Sequence, residues 1–266
     1  MWGIFILALV GSVNSLPANG HAAAPASVTL TGRPVGDPYY LNFVRLGGIM
    51  YLSRRPEDPP AVGRPLQGRD LGTIVAHVRS KLDGMVHDPT YLPKDGDAAY
   101  LPVGTPIYGV KGYRPTFRLV ARWNGHLFLY EADTNPRARR GADLLDVAGK
   151  VRSIGIDSDT GDGTTEIAAI AQPAQVATLV GLLLSARVDQ GQTERDATRY
   201  FLTLSLVDGT TVHRAFWPAS GQLSRGIITP SQFRLAIMQA VRRRSWRYRR
   251  KNLNPVHCSV ATRDPK

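Results

Sequence analysis

The sequence predicts an α+β protein: a small all-β barrel or sandwich, followed by an α+β domain built from a doubled strand-strand-helix unit. Prolines and glycines in residues 95–133 separate runs of β-branched and aromatic residues, which is typical of short strands joined by tight turns. Residues 173–185 carry apolar side chains at helical spacing. The tetrapeptide Asp-Gly-Thr-Thr occurs at 162–165 and at 208–211, each time where the second strand of a predicted hairpin begins.

Residues 1–26 are predicted to be a signal peptide, and residues 27–39 a linker. Residues 2–13 form an apolar run that suits a signal-peptide core and is too short to span a membrane. The alanine-rich residues 22–26 then offer a small-x-small cleavage site. No basic residue precedes the run, since the first is Arg33, and the alternative is a buried N-terminal strand or helix. We expect export to the cell envelope or the extracellular space.

The small β domain is predicted over residues 40–147. Gly47-Gly48 separates two apolar runs of residues 40–53 and predicts a β-hairpin, because glycine accepts the positive φ of a two-residue turn. Asn124-Gly125 is a strong type I′ hairpin signal. Further strands are predicted at 72–81, 107–110, 116–122 and 126–131, and loops at 54–69 and 83–94. Such short strands with no helix-period segment between them favour a barrel or sandwich.

The α+β domain is predicted over residues 150–241. Strands at 150–157 and 164–170 precede the helix at 173–185, which has proline in its first turn, where the missing N–H removes no hydrogen bond. A second hairpin is predicted from strands 199–207 and 210–217. Thr229 to Gln232 reads as a capping box that opens a second helix. One sheet with helices on one face follows from this order.

The net charge of +12 is concentrated in a C-terminal tail, residues 242–266, which we expect to be disordered. Residues 26–149 have sixteen basic and twelve acidic side chains, residues 150–241 have eight of each, and the tail has nine basic and one acidic. The tail could bind anionic lipid, wall polymer or nucleic acid, or be a solvated extension or a reading-frame artefact. No specific nucleic acid is predicted. The candidate polyanion-binding residues are Arg242, Arg243, Arg244, Trp246, Arg247, Arg249 and Arg250.

A second candidate contact surface follows the central strands. The loop 135–141 is arginine-rich and bounded by proline and glycine, which is typical of an exposed partner contact. Aromatic and basic residues also alternate at 108–118, although a half-buried sheet would show the same pattern. The candidate partner-binding residues are Tyr113, Arg114, Arg118, Glu131, Asp133, Arg137, Arg139 and Arg140. Their partner is predicted to be an envelope protein or polymer whose identity the sequence does not give.

Motifs of common enzyme classes are absent, and no catalytic residue, metal or cofactor is predicted. The sequence has no phosphate-binding glycine loop, no dinucleotide fingerprint, no nucleophile elbow and no zinc helix. Asp157, Asp159 and Asp162 resemble a calcium loop, but the spacing of acids and glycine fails. The single cysteine, Cys258, permits no intramolecular disulfide, which is ordinary for an exported bacterial protein. Catalysis nevertheless remains open, because acid-base pairs can be assembled from distant residues.

The central block resembles uncharacterised exported proteins of Gram-positive-type bacteria. The resemblance is carried by residues 95–113, 117–121, 129–146 and 162–166, and it extends over roughly residues 40–240. It implies export, and it implies no activity. Many such proteins carry a lipid-anchoring cysteine after the signal peptide, which this chain lacks. Our first hypothesis is therefore a non-enzymatic envelope binding protein. The alternatives are an extracytoplasmic hydrolase with an interdomain site, or polyanion binding through the tail.

Overall fold

The computed structural model describes residues 41–53, 63–86, 88, 90–159, 164–190 and 198–252. The predicted signal peptide and linker lie outside these residues, as do Asp162, Cys258 and the end of the predicted tail. The described chain is a mixed α+β protein made mostly of strands. It contains two β-sheets and three α-helices within the described residues.

The first sheet, which we call the curled sheet, has eight strands and curls into half a barrel. Its strand order is β3-β6-β7-β8-β2-β1-β5-β4. It does not close into a barrel, because β3 and β4 lie at its two ends. The strands are β1 (Phe43–Leu46), β2 (Ile49–Leu52), β3 (Leu71–His77), β4 (Ser80–Lys81), β5 (Asp97–Ala98), β6 (Pro106–Val110), β7 (Arg118–Trp123) and β8 (His126–Thr134).

Both glycine-based hairpin predictions in this sheet are confirmed. Gly47 and Gly48, with φ of 59° and 75°, join β1 to β2. Asn124 and Gly125, with φ of 49° and 76°, join β7 to β8. Positive φ at both central residues is what a type I′ turn requires, and its twist matches that of the flanking strands. The register of β7 and β8 pairs Arg118 with Glu131.

The second sheet, which we call the open sheet, has seven strands in the order β10-β9-β12-β13-β14-β15-β11. Its long strands match the predicted ones to within a few residues. The strands are β9 (Val151–Asp159), β10 (Thr164–Ile170), β11 (Arg187–Val188), β12 (Tyr200–Leu206), β13 (Thr211–Trp217), β14 (Gln222–Leu223) and β15 (Ile227–Ile228). The strand β10 forms one edge of the sheet.

The helices are α1 (Gly141–Leu144), α2 (Pro173–Ser185) and α3 (Ser231–Asn252). The helix α2 has the predicted bounds, with Pro173 at its first position and Gln172 capping the backbone N–H of Gln175. Helix α3 begins near the predicted start but runs to Asn252, through residues that we expected to be disordered. Arginine and lysine have high helix propensity, so a helix already anchored by buried Phe233 and Ile237 can continue through them.

The apolar core crosses from one sheet to the other. Phe117, which precedes β7, belongs to the same buried cluster as Leu204 and Phe216 of the open sheet and Val180 of α2. A second buried cluster, around Tyr51, lies inside the curled sheet. The two sheets therefore meet through a packed apolar contact, next to which the charged residues described below are buried.

Candidate functional site

Two of the predicted partner-binding residues, Arg118 and Glu131, meet inside the contact between the sheets. Arg118 of β7 and Glu131 of β8 are cross-strand neighbours, and Arg118 Nη2 lies 2.7 Å from Glu131 Oε1. The Arg118 side chain is 0% exposed and the Glu131 side chain 14%. Arg214 of β13 approaches from the open sheet, with Nη1 2.8 Å from Glu131 Oε2. Glu131 thus holds one arginine from each sheet.

Arg118 also binds the open sheet directly. Its Nη1 donates to Thr210 Oγ1 at 2.8 Å, and its Nη2 donates to the carbonyl of Thr211 at 2.7 Å. The guanidinium carbon lies 4.8 Å from the ring centre of Tyr113 and 5.0 Å from that of Phe117. A planar guanidinium can stack on rings while donating in its own plane, so this environment satisfies a buried arginine.

A further ion pair extends the cluster. Arg225 Nη1 lies 2.6 Å from Asp133 Oδ1 and donates to the carbonyl of Ala132 at 2.7 Å. Arg225 has φ of 75°, a left-handed conformation that costs energy for any residue with a Cβ. Its side-chain contacts with β8 hold it there. We refer to Arg118, Glu131, Asp133, Arg214 and Arg225 as the ionic cluster.

The ionic cluster has three positive and two negative side chains, and this excess of positive charge lowers the pKa values of Glu131 and Arg225. Burial alone would raise the pKa of Glu131, but the charges of Arg118 and Arg214 outweigh it and lower the pKa to about 2. Burial and the neighbouring Arg214 lower the pKa of Arg225 to about 10. Glu131 and Arg225 are therefore both ionised at neutral pH. Nε and Nη2 of Arg214 and Nε of Arg225 are buried without a hydrogen-bond partner among the described residues.

Tyr113 makes a second polar contact between the sheets. Its hydroxyl donates to Asp208 Oδ2 at 2.7 Å, while Asp208 Oδ1 accepts from the backbone N–H and the hydroxyl of Thr210. Burial raises the pKa of Tyr113 to about 12, and the bond to Asp208 adds to this. Burial opposes ionisation of Asp208, but its hydrogen bonds from Tyr113 and Thr210 prevail and lower its pKa.

The structure thus divides the eight predicted partner-binding residues into two groups. Tyr113, Arg118, Glu131 and Asp133 lie in the contact between the sheets; Arg118 and Glu131 are ion-paired there and are not available to an external partner. They lie there because the open sheet covers this face of β7 and β8. The other four, Arg114, Arg137, Arg139 and Arg140, are exposed.

The four exposed arginines have local contacts. Arg137 Nη2 donates to the carbonyl of Gly47 at 2.8 Å, and the backbone N–H groups of Arg139 and Arg140 donate to Asp143 Oδ2 at 2.8 and 2.9 Å. These backbone bonds lower the pKa of Asp143. Arg114 lies farther along the surface, with its backbone N–H 2.8 Å from Asp146 Oδ2.

The basic end of α3 is the other basic feature of the molecule. We define it as residues 242–252, which follow the part of α3 that packs on the open sheet through Phe233 and Ile237. Arg242 and Arg243 are exposed. Seven of the ten residues from 242 to 251 are arginine or lysine, and all the predicted polyanion-binding residues lie in this helical end. The backbone of this segment is helical, whereas a disordered tail was expected.

A groove of 490 Å³ lies beside this helix, between α3 and the edge of the open sheet. Residues 168–172, from β10 to the start of α2, form its wall on the sheet side. The opposite wall comes from one face of α3, and Gln175 of α2 completes the lining. The α3 residues are Ala236, Gln239, Ala240 and Arg243.

The polar face of the open sheet carries a chain of hydrogen bonds that sequence analysis did not predict. Thr203 Oγ1 donates to Asp157 Oδ2 at 2.7 Å and lies 3.0 Å from His213 Nδ1. A hydroxyl has one hydrogen, so Thr203 accepts from His213 Nδ1–H, and Nε2 is left to accept from the Thr211 hydroxyl at 3.2 Å. Both ring nitrogens are thus engaged within the sheet, which favours a structural role.

The aspartates of the rejected calcium loop also have protein partners. Asp157 accepts from Thr203, and Asp159 Oδ2 lies 2.8 Å from Arg199 Nη2. Across the described ranges, no group of three or more His, Cys, Asp or Glu side chains is arranged to hold a metal ion.

Comparison of the chain with protein families, with curated proteins and with solved structures gave no match. The function must therefore be inferred from the geometry and charge of the described side chains. In the part of the chain that the structure describes, no helix has both the length and the apolar content needed to cross a membrane.

Proposed function

We propose that the protein is an exported bacterial envelope protein that acts by binding, and that the basic end of α3 attaches it to an anionic membrane surface. The observation that carries this proposal is the helical arrangement of residues 242–252, which concentrates seven basic side chains over three turns. Each basic residue near an anionic bilayer contributes about 1 kcal/mol. Trp246 and Tyr248 lie among them, and such aromatic residues favour the membrane-water interface.

The ionic cluster supports binding over the hydrolase alternative. A hydrolase site between the sheets would use a carboxylate whose pKa is raised toward neutrality. Glu131, the carboxylate buried there, instead has its pKa lowered to about 2 by the arginines around it. It acts as a counter-ion that joins the sheets.

We also propose that the chain has two domains, a small β domain at 40–147 and an α+β domain at 150–241, which share part of one apolar core. The doubled unit of the second domain is supported by strand order, because β9 and β12, the first strands of the two hairpins, are antiparallel neighbours at the centre. The helices that follow match in pattern. Val176 and Val180 of α2 are buried four residues apart, as are Phe233 and Ile237 of α3, each pair shortly after a proline.

Co-sedimentation with vesicles tests the membrane proposal. The full chain should sediment with vesicles of phosphatidylglycerol and phosphatidylcholine, not with phosphatidylcholine alone, and added salt should release it. Replacing Arg242, Arg244, Arg247 and Arg249 by Gln should abolish sedimentation. The matched control replaces the four exposed arginines Arg114, Arg137, Arg139 and Arg140 by Gln, which should leave it nearly unchanged. Equal loss in both variants would contradict a specific role for α3, and retention on heparin without vesicle binding would favour an anionic polymer.

The export proposal has its own test. Mass spectrometry of the mature N-terminus after fractionation of the native host should find the protein outside the cytoplasm, beginning near residues 23–27. A cytosolic protein that begins at Met1 would contradict export and would move the residues of the apolar run into the fold.

A further inference from the structure

We propose that the ionic cluster binds one small monovalent anion, chloride, on the edge of the Arg214 guanidinium that Nε and Nη2 form. This site goes beyond the membrane contact proposed above, since it lies in the buried contact between the sheets and takes a soluble inorganic ligand. Two buried donors without an acceptor, an excess of positive charge around them and a partly exposed side at Asp133 together support it.

Arg214 has a complete donor edge that no described residue fills. Its Nη1 donates to Glu131 Oε2 at 2.8 Å and to the carbonyl of His213 at 2.7 Å. Its Nε and Nη2 are buried with no hydrogen-bond partner among the described residues. In a guanidinium these two nitrogens form a fork of parallel N–H groups that matches an anion. Arg118 uses the same fork on Glu131 Oε1, at 3.0 and 2.7 Å, so the cluster already pairs one such edge with negative charge.

An empty edge at this position is unfavourable. The Arg214 side chain is 2% exposed, so bulk water does not solvate it. A buried charged donor without an acceptor keeps the full cost of its desolvation. Nearly all buried polar groups in proteins are paired, and one that is not indicates an ordered water molecule or ion beside it. The Arg214 edge is therefore occupied by one or the other when the folded protein is in solution.

The charge of the cluster favours an anion over water. The cluster contains three arginines and two carboxylates, Glu131 and Asp133. Burial and the charge of nearby Arg214 lower the pKa of Arg225 to about 10, so the two arginines repel each other. Asp208, a further carboxylate near the cluster, is held by other hydrogen bonds and pairs with neither arginine within the described ranges. A water molecule would accept the two N–H bonds and leave the excess charge, whereas an anion offsets both.

The enclosure limits the anion to a small one. The cluster reaches the surface at Asp133, whose side chain is 30% exposed, while those of Glu131 and Arg225 are each 14% exposed. Nε of Arg225 is also buried without a described partner and adds a donor to the cluster. An anion thus reaches Arg214 past Asp133. The additional oxygens of phosphate or of a peptide carboxylate would need donors of their own in this interior. A monatomic anion does not, so chloride is the expected ligand.

A chloride titration of the full chain tests the proposal. Sodium chloride replaces sodium gluconate at constant ionic strength, so that the screening of surface charges does not change. A ligand that binds only the folded state raises its stability by mass action, and above the Kd each tenfold rise in chloride should raise the folding equilibrium constant about tenfold. The urea midpoint should therefore rise with chloride, and sodium bromide should have the same effect. A midpoint that does not depend on chloride would overturn the proposal.

A pair of variants assigns the effect to Arg214. Arg214→Lys keeps a positive charge beside Glu131 but lacks the fork, so the rise of the midpoint with chloride should fall about fivefold or more. The matched control is Arg199→Lys, at an exposed arginine of the open sheet whose Nε and Nη2 already donate to Asp159. It should keep the full chloride dependence. Equal dependence in the two variants would overturn the assignment to Arg214.

Crystals of the wild-type protein grown with sodium bromide give a test that needs no variant. The anomalous signal of bromide should show a peak within hydrogen-bond distance of Nε and Nη2 of Arg214. An ordered water molecule at that position, with no anomalous peak, would overturn the anion site and assign the edge to water.

Discussion

Arg118 is the residue on which the contact between the sheets depends. It is fully buried, yet each of its guanidinium nitrogens donates a hydrogen bond: to Glu131, to Thr210 or to the carbonyl of Thr211. A buried ion pair adds little net stability, because desolvation offsets the attraction. Removing one partner is different, since it leaves the other charge buried and uncompensated. The cluster therefore specifies how the sheets fit together more than it adds to the total stability.

Glu131→Gln should destabilise the protein by about 3–5 kcal/mol, because Arg118 and Arg214 would lose their shared counter-charge inside the protein. Urea unfolding followed by circular dichroism measures this. The matched control is Glu166→Gln, at an exposed glutamate of β10, which should change the free energy of unfolding by less than about 0.5 kcal/mol. A similar small change in both variants would contradict a central role for Glu131.

The pH dependence of stability should also report on Glu131. Its pKa of about 2 in the folded state lies below its ordinary value of 4.5. A lowered pKa contributes stability that is fully present above about pH 4.5 and is lost as the pH falls through about 2, a contribution of about 3 kcal/mol. The stability gap between wild type and Glu131→Gln should thus narrow below pH 4.5. A carboxyl that titrates near 4.5 by NMR in the folded wild type would contradict this.

Arg225 combines a left-handed backbone with a buried ion pair, and two substitutions separate these effects. Arg225→Ala removes the side-chain contacts and keeps the strain, whereas Arg225→Gly removes both. Arg225→Gly should therefore be more stable than Arg225→Ala by about 1 kcal/mol, although both should be less stable than wild type. Chemical denaturation of the three proteins gives the comparison. Equal stability of the two variants would mean that the φ of 75° carries no strain.

Among the elements, the β7-β8 hairpin and the helix α2 each contain a glycine, and replacing the two glycines by alanine should have opposite effects on stability. Gly125 has φ of 76° and Gly181 lies within α2, and in both cases an added Cβ would meet no atom within 4 Å. Only the backbone conformation differs. Gly125→Ala should destabilise the protein by about 1 kcal/mol, and Gly181→Ala should stabilise it by about 0.5–1 kcal/mol. Thermal unfolding of both variants tests the pair, and a shift of the midpoint in the same direction would contradict the argument.

Elements defined by local signals could be predicted from the sequence. The helix α2 was found with its observed bounds because apolar spacing, Pro173 and the polar residues around it agree. The turns at Gly48 and Gly125 were found because few residues accept positive φ. The curled sheet was predicted in part, as a barrel or sandwich. Its strand order was not predicted, since it arises from pairing between distant segments such as β1 with β5. The groove between α3 and the edge of the open sheet was not predicted either, because it depends on where α3 crosses β10.

The burial of the charged residues could not be predicted for a related reason. Alternation in β7 indicates which residues share a face, but not whether a second sheet covers that face. Thr210, the partner of Arg118, is 92 residues away in the chain. For Arg214 a signal was present, because it lies between Val212 and Phe216 on the apolar face of β13. A charged residue on an otherwise apolar face predicts a buried counter-ion, which here is Glu131.

At the scale of the whole molecule, the contact between the sheets is both apolar and ionic. Phe117 enters the core of the open sheet, while Arg214 and Arg225 reach back to β8. The loop before β3 adds a third contact, because the backbone N–H of Arg64 donates to the carbonyl of Gly209 and its Nε to that of Asp208. Neither sheet could separate without exposing the core and leaving buried charges without partners.

The two sheets should therefore unfold in one transition. Trp123 lies on β7 and Trp217 on β13, so each sheet has its own fluorescent probe once the other tryptophans are replaced by phenylalanine. Urea midpoints measured with the two single-tryptophan proteins should coincide with each other and with the circular dichroism transition, as two-state unfolding requires. Glu131→Gln should shift both midpoints together, because the lost counter-charge belongs to both sheets. If the Trp123 and Trp217 midpoints differ in the wild type, the ionic cluster does not couple the sheets, and each is stabilised by its own core.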